Sequence, residues 1–260
     1  MRLHIVSDVH GAAEPLSRAA DGADVFVCLG DLILFLDYDD PSQGMHAELF
    51  GERFTREYIR LRTAGRFDDA RELSAAEWAA IGVVDPTERW AVLEGKVREQ
   101  YDKLFAAMPT PALMTYGNVD VPSLWSEFLR EGHQVIDGAT VDVGGLRFGF
   151  VGGGLHSPMR TPYEISPEDY AVKVDALGDV DVLFTHIPPK LPELTYDVVA
   201  RRFEIGSTAV REYIQRVQPR YAFFGHVHQP LAVRTRIGRT ECINVGHFQG
   251  RGRPYVIDLE

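Results

Sequence analysis

Five short apolar runs of the chain each end in a cluster of polar residues, and this pattern constrains the fold more than any other feature. The clusters read SDVHG, LGDL, YGNVD, FTHIPP and FGHVHQ. Runs that are apolar throughout are typical of strands buried on both faces. In layered α/β folds such strands end at a common edge, where their side chains line a crevice. We therefore predict an α/β protein whose functional residues lie together at the strand ends.

The strand and helix patterns divide the chain into a scaffold and one inserted segment. Predicted strands are Leu3–Ser7, Val25–Leu29, Ala112–Tyr116, Thr140–Val143, Arg147–Val151, Val182–Thr185, Tyr221–Phe224, Glu241–Asn244 and Tyr255–Asp258. Between Leu36 and Met108 apolar residues recur at helical spacing instead, which predicts helices over Ala47–Arg62, Ser74–Ile81 and Pro86–Ala107. We expect a single domain over residues 1–260 with an inserted helical cap at residues 36–108.

Composition excludes several classes of protein. The 260 residues are 45% hydrophobic and 25% charged, which is ordinary for a globular chain. The net charge of −11 argues against a nucleic-acid partner, because proteins that bind nucleic acids typically have a basic surface. Cys28 and Cys242 lie inside apolar runs and are expected as buried thiols rather than a disulfide. With no apolar stretch long enough to span a bilayer, we expect a cytoplasmic protein with no membrane partner; the sequence leaves its oligomeric state open.

The polar strand ends together offer two carboxylates, one amide and four imidazoles. They are Asp8, His10, Asp31, Asn118, His186, His226 and His228. The pairs Asp8/His10 and His226/His228 have the i, i+2 spacing that places side chains on one side of a strand. Seven oxygen and nitrogen donors suit two metal ions that share a carboxylate, and without a thiolate the set favours Mn, Fe or Zn.

The ordered series D-x-H, GD, GN, H and GHxH resembles the calcineurin-like metallophosphoesterase superfamily over roughly residues 1–35 and 109–250. The resemblance implies a four-layer αββα sandwich with the site at the strand ends. It implies that Asp8, His10 and His228 hold one divalent ion, that Asn118, His186 and His226 hold the second, and that Asp31 bridges them. The implied activity is hydrolysis of a small phosphate ester by a hydroxide that the two ions activate.

One departure from the family pattern concerns the proton donor. Many relatives read GNHD or GNHE, and that histidine is thought to protonate the leaving group; here Val119 stands in its place, followed by Asp120. Branches without the histidine resemble phosphodiesterases, so we expect phosphodiesters of small or nucleotide-like molecules as substrates. His156 and His247 are candidate replacements for the missing acid. The candidate catalytic residues are Asp31, Asn118, Asp120 and His156.

Other functions stay open at this stage. A phosphomonoesterase or protein phosphatase would use the same metal site. A nuclease would need a basic groove and would lose activity steeply with salt. A non-catalytic metal-binding scaffold on the same fold would bind ions without hydrolysing any ester. Arg160 is a candidate phosphate clamp for the enzymatic alternatives.

Overall fold

The computed structural model describes residues 1–259, which form two compact units. Unit 1 joins Met1–Leu32 to the chain from Leu104 onward, and unit 2 is Ile33–Lys103. Unit 2 falls close to the expected insertion at residues 36–108, while its role as a cap stays a prediction. Within residues 1–259, each helix is either too short or too polar to cross a bilayer.

All strands of the described residues lie in unit 1. In chain order they are β1 (Arg2–Val6), β2 (Val25–Cys28), β3 (Ala112–Met114), β4 (His133–Val135), β5 (Ala139–Val143), β6 (Leu146–Val151), β7 (Gly154–Leu155), β8 (Glu164–Ile165), β9 (Val182–Thr185), β10 (Tyr196–Asp197), β11 (Arg202–Phe203), β12 (Tyr221–Phe224), β13 (Arg234–Ile237), β14 (Thr240–Asn244) and β15 (Tyr255–Asp258). Each of the nine predicted strands is present, with ends shifted by at most two residues.

Two larger sheets carry the fold. The first has the order β15-β1-β2-β3-β4, and the second has the order β13-β14-β12-β9-β6-β5. The inner strands of both sheets pair in parallel, whereas β15, β13 and β5 pair antiparallel with their neighbours. The strands with parallel neighbours therefore bring their carboxyl ends to one edge of each sheet.

The two sheets of unit 1 pack face to face. Leu3 and Val27 of the first sheet share one buried cluster with Phe148, Phe184 and Phe223 of the second. Burying side chains of this size contributes roughly 1.5–3 kcal/mol each. This apolar layer holds the two carboxyl edges in place and so fixes where the polar strand ends meet.

Helices cover the outer faces of the sheets and make up most of unit 2. They are α1 (Ala13–Leu16), α2 (Met45–Phe50), α3 (Glu52–Thr63), α4 (Phe67–Ala80), α5 (Pro86–Ala107), α6 (Pro122–Trp125), α7 (Pro167–Asp175), α8 (Pro192–Thr195), α9 (Thr208–Val217) and α10 (Phe248–Arg251). Tyr170 of α7 and Tyr213 of α9 are buried against the second sheet in a cluster that includes Leu183 and Phe224. On the first sheet, Leu16 of α1 is buried, and the imidazole of His4 reaches the carbonyl of Ala19, in the turn after α1, 2.9 Å away. The layer order is therefore the expected αββα.

The helical segment of unit 2 differs from the prediction at two points. Helix α4 begins at Phe67 rather than at the expected Ser74. Residues 47–62 were expected as one helix, but α2 ends and α3 begins at Gly51, whose φ is 83°. That left-handed conformation breaks the helical path, and only glycine adopts it without a steric penalty. Helix α5 has the predicted bounds, Pro86–Ala107.

Candidate metal centre

The candidate ligands lie in the turns that directly follow β1, β2, β3, β9 and β12. Asp8, His10, Asp31 and His226 have positive φ values of 57°, 41°, 53° and 66°. For a residue with a side chain the left-handed region costs roughly 1–2 kcal/mol, and such strain clusters at functional sites. These left-handed turns, and not the i, i+2 alternation of a strand, aim the side chains.

Asp8, His10 and Asp31 form a first group of donors. One donor atom of each lies within 4.8 Å of the others. The Nε2 atom of His10 is 4.0 Å from Oδ2 of Asp31, and Nε2 of His228 is 3.5 Å from Oδ1 of Asp8. Both carboxylates are buried. The structure thus brings together every residue that the sequence resemblance implies for the first ion.

A second group of donors consists of Asp31, His186 and His226, again within 4.8 Å of one another. The Nε2 atom of His186 lies 3.3 Å from Oδ2 of Asp31. The amide oxygen of Asn118 lies 3.0 Å from Nε2 of His186 and 2.9 Å from Nδ1 of His226. Asp31 therefore belongs to both groups, and Asn118 faces the second.

The charges in this site are strongly coupled. Burial favours the neutral form of Asp8, but the neighbouring His228 outweighs it and the pKa of Asp8 is lowered. Burial likewise opposes ionisation of Asp31, whose pKa is lowered because His186 lies beside it. Burial disfavours a charged His186, yet the Asp31 and Asp8 carboxylates raise its pKa to about 9. Both carboxylates thus stay ionised, and a cation would displace protons from the imidazoles.

Two further observations show that these residues suit metal ions. The Nε2 atom of His226 is buried and has no hydrogen-bond partner among residues 1–259. His186 places Nδ1 3.0 Å from the carbonyl of Leu29, an acceptor that would keep the proton on Nδ1 and leave the Nε2 lone pair for a cation that displaces the Nε2 proton. A buried, unpartnered imidazole nitrogen costs free energy unless a ligand engages it. The donor set of carboxylate, amide and imidazole groups fits borderline divalent ions.

A comparison with known protein families agrees with this geometry. The family model of calcineurin-like phosphoesterases matches residues 83–230, which is more than half of the chain. The chain belongs to the calcineurin-like phosphoesterase family. The match includes Asn118, His186, His226 and His228, whereas Asp8, His10 and Asp31 precede it. Membership implies metal-dependent hydrolysis of phosphoesters.

Solved structures resemble this calcineurin-like phosphoesterase in fold. One crystal structure is 15% identical, with a TM-score of 0.60, and the match covers 95% of this chain and 91% of that chain. The crystal structure of TT1561 of Thermus thermophilus is 14% identical, with a TM-score of 0.53, and the match covers 100% of this chain and 99% of that chain. No curated protein matches the sequence significantly.

Asp120 of the phosphoesterase does not face the donors' common space. Its Oδ2 atom accepts hydrogen bonds from the N–H groups of Asp31 and Gly117, each at 2.8 Å, and its Oδ1 atom accepts from the N–H of Leu32 at 3.0 Å. Burial and the Asp31 charge raise the pKa of Asp120 to about 7. The expectation that Asp120 is catalytic is therefore corrected, because a fully buried carboxyl bound to backbone has no surface for a substrate. Asp120 positions the two turns that carry Asp31 and Asn118.

The two histidines considered as replacement acids lie in different surroundings. His247 stacks on His228 with ring centroids 3.8 Å apart, and it forms a third close group with His10 and His228. Burial and the neighbouring His228 lower the pKa of His247 to about 4. His156 is exposed and lines a cavity of about 290 Å³ together with Arg160. Only His156 therefore combines a proton-donating group with open access to a ligand-sized space.

The phosphoesterase also has site residues that the sequence analysis missed. Thr161 accepts a hydrogen bond from Nδ2 of Asn118 at 3.0 Å, and Glu164 accepts one from the Thr161 hydroxyl at 2.7 Å. Both residues line the same cavity as His156. The one available signal is their position in the polar segment that follows strand β7.

Proposed function

We propose that this protein is a phosphodiesterase that uses two divalent metal ions, Mn, Fe or Zn, to hydrolyse small or nucleotide-like phosphodiesters. The observation that carries the dinuclear part of this proposal is the place of Asp31 in both donor groups. Sharing one carboxylate is how two-metal hydrolases hold their ions close enough to act on one phosphate. A mononuclear site would leave half of the converging donors without a function.

The chain's residues have distinct roles in this proposal. Asp8, His10 and His228 would hold one ion, Asn118, His186 and His226 would hold the second, and Asp31 would serve both. When bound, the ions would polarise the phosphoryl oxygens and lower the pKa of a bound water. The two carboxylates hold less negative charge than two divalent ions supply, so the loaded site would attract an anionic ester. Asn118 adds a neutral oxygen donor and preserves that positive balance.

Phosphodiester preference rests on Val119. The position after Asn118 is where relatives with a histidine would donate a proton, and valine has no proton to transfer. General-acid assistance contributes about 10²–10⁴-fold, and the chain must supply it from elsewhere or act on esters that need it less. The valine therefore favours the phosphodiesterase branch of the family over the broad monoesterases.

Metal removal and reloading test this function. The protein is stripped with a chelator, reloaded with Mn²⁺, Fe²⁺ or Zn²⁺, and assayed on a phosphodiester and a phosphomonoester that share one leaving group. We expect no hydrolysis without metal, and a kcat/KM at least about tenfold higher for the diester after reloading, which corresponds to about 1.4 kcal/mol. A monoester preference would overturn the diester assignment. Reloaded protein that is inert to every ester would indicate a scaffold instead.

His156 is the proposed general acid. His156→Ala should lower kcat by about 10²-fold for diesters with poor alkyl leaving groups, because these leave only as protonated alcohols. Hydrolysis of 4-nitrophenyl esters should change by less than about threefold, since nitrophenolate leaves without a proton. His156→Gln, which keeps a hydrogen-bonding side chain, serves as the matched comparison and should resemble the alanine variant. Equal losses for both ester classes would exclude the acid role.

The expected surroundings of the protein complete the proposal. The substrate is a small ester, with no nucleic acid as partner, and the protein is proposed to be cytoplasmic. The two cysteines are buried and free, as a reducing compartment favours. Activity that falls steeply between low and physiological salt would indicate a nuclease instead.

A further inference from the structure

A chain of hydrogen bonds runs from Asn118 into the loop between β7 and β8. The Nδ2 group of Asn118 donates to Oγ1 of Thr161 at 3.0 Å, and the Thr161 hydroxyl donates to Oε1 of Glu164 at 2.7 Å. The amide oxygen of Asn118 points the other way, to within 3.0 Å of His186 and 2.9 Å of His226. The amide therefore has its nitrogen on the loop side and its oxygen on the side of the second donor group.

The direction of this chain is imposed by Glu164. Its carboxylate also accepts hydrogen bonds from the backbone N–H of Thr161 at 3.0 Å, the backbone N–H of Ser157 at 2.8 Å and the Ser157 hydroxyl at 2.6 Å. A hydroxyl has one proton to donate, and Oε1 of Glu164 accepts that of Thr161. Oγ1 of Thr161 can then only accept from Asn118. A reversed amide would place its oxygen against another oxygen with no proton between them.

The loop itself is anchored beside Asn118. The N–H of Tyr163 donates to the carbonyl of Asn118 at 2.9 Å, and strand β7 pairs with β8 so that Gly154 opposes Glu164. A Cβ at Gly154 would lie 2.7 Å from the Cβ of Asn118, so glycine is required for this close approach. Thr161 and Glu164 are thus held at a fixed place relative to the amide.

We propose that Thr161 and Glu164 are positioning residues that orient the Asn118 amide and thereby set the affinity of the site for the second metal ion. This inference rests on the two-ion site of the proposed function. Donation of the Nδ2 proton toward an anionic chain also increases the negative charge on Oδ1 of Asn118. Residues that orient metal ligands typically change metal affinity by 10–100-fold when they are replaced.

The test is a metal titration of the stripped protein with Mn²⁺ or Zn²⁺ by calorimetry, which needs no substrate. Thr161→Val removes the hydroxyl at nearly constant volume. It should lower the affinity for the second ion by about 10–100-fold, while the affinity for the first ion changes by less than about threefold. Asn118→Ala identifies which binding step belongs to the second ion. In the double variant Asn118→Ala/Thr161→Val, the threonine change should have no further effect, because its target is gone.

Three comparisons separate positioning from a general structural role. Thr161→Ser retains the hydroxyl and should restore second-ion affinity to within about threefold of the wild type. Thr140→Val, on strand β5, is the matched control and should leave both affinities unchanged. If Thr161→Val does not fold, Glu164→Gln replaces it in the titration. Loss of the anionic acceptor should still lower the affinity for the second ion by at least about threefold.

The outcomes distinguish this inference from the proposed function. A wild-type protein that binds fewer than two ions contradicts the two-metal proposal itself. A wild-type protein that binds two ions, with Thr161→Val binding both as tightly, overturns the positioning role alone. Equal weakening of both ions by Thr161→Val, or a failure of Thr161→Ser to restore affinity, also overturns it.

Discussion

Asp31→Asn is expected to reduce kcat/KM for the best phosphodiester by about 10³-fold or more. The amide retains one oxygen, which can still accept the hydrogen bond that Oδ1 of Asp31 takes from the N–H of Val119 at 2.9 Å. It loses the charge and the second anionic oxygen that let one side chain serve both donor groups. Lewis-acid stabilisation by two ions is worth several kcal/mol, and each 1.36 kcal/mol is tenfold in rate. Steady-state kinetics with metal analysis of the same sample measure the change.

The metal content of Asp31→Asn makes this expectation specific. The variant should bind at least one ion fewer than the wild type, because neither donor group keeps its shared carboxylate. Asp142→Asn, an exposed change of the same type on strand β5, is the control and should retain full activity and metal content. The two-metal interpretation fails if Asp31→Asn binds two ions and keeps more than about a tenth of the activity.

The position of the donors could be predicted from the sequence because it follows from a general property of parallel sheets. Apolar runs that end in polar clusters bring those clusters to one edge, and the donors of both groups meet there. The detailed geometry could not be predicted in this way. Asp8, Asp31 and His226 reach their places through left-handed backbone, which tertiary contacts impose against local preference.

Two strands of the large sheets were missed for a common reason. Strand β4 has three residues and lies at the edge of the first sheet, and β13 lies at the edge of the second. In β13 the exposed Arg234 and Arg236 flank Glu241 of β14 across the strand pair. Edge strands need few apolar residues, and charged residues there protect against pairing with other chains. A search for β-branched, apolar runs therefore misses β4 and β13, although it detects the more apolar edge strands β5 and β15.

Thr161 and Asp120 show why site residues outside the motifs are hard to predict. Thr161 acts on a side chain 43 positions earlier in the chain, through a loop with an ordinary polar sequence. Asp120 lies two positions after the GN motif, which suggests a catalytic role, but two of its three backbone partners are 88 and 89 positions away. Adjacency to a motif thus identifies a residue as belonging to the site without indicating which way its side chain points.

That reassignment of Asp120 has a large expected effect on stability. Asp120→Ala removes the acceptor for three backbone N–H groups, those of Asp31, Leu32 and Gly117. Each buried N–H left without an acceptor costs about 1–3 kcal/mol. The variant no longer buries a carboxyl group, and the desolvation cost that it avoids offsets part of the loss. We therefore expect the free energy of unfolding to fall by about 3 kcal/mol, measured by urea denaturation with a chelator present.

The chelator separates a positioning role of Asp120 from a catalytic one. Without metal, any loss of stability in Asp120→Ala comes from the turns themselves and not from weaker ion binding. Asp142→Ala, at an exposed aspartate, is the matched control and should change the free energy of unfolding by no more than about 0.5 kcal/mol. A catalytic Asp120 predicts the opposite pattern, in which the variant unfolds like the wild type and binds two ions but does not hydrolyse the ester. Because Asp120 ties the Asp31 turn to the Asn118 turn, its loss should lower stability and metal affinity together.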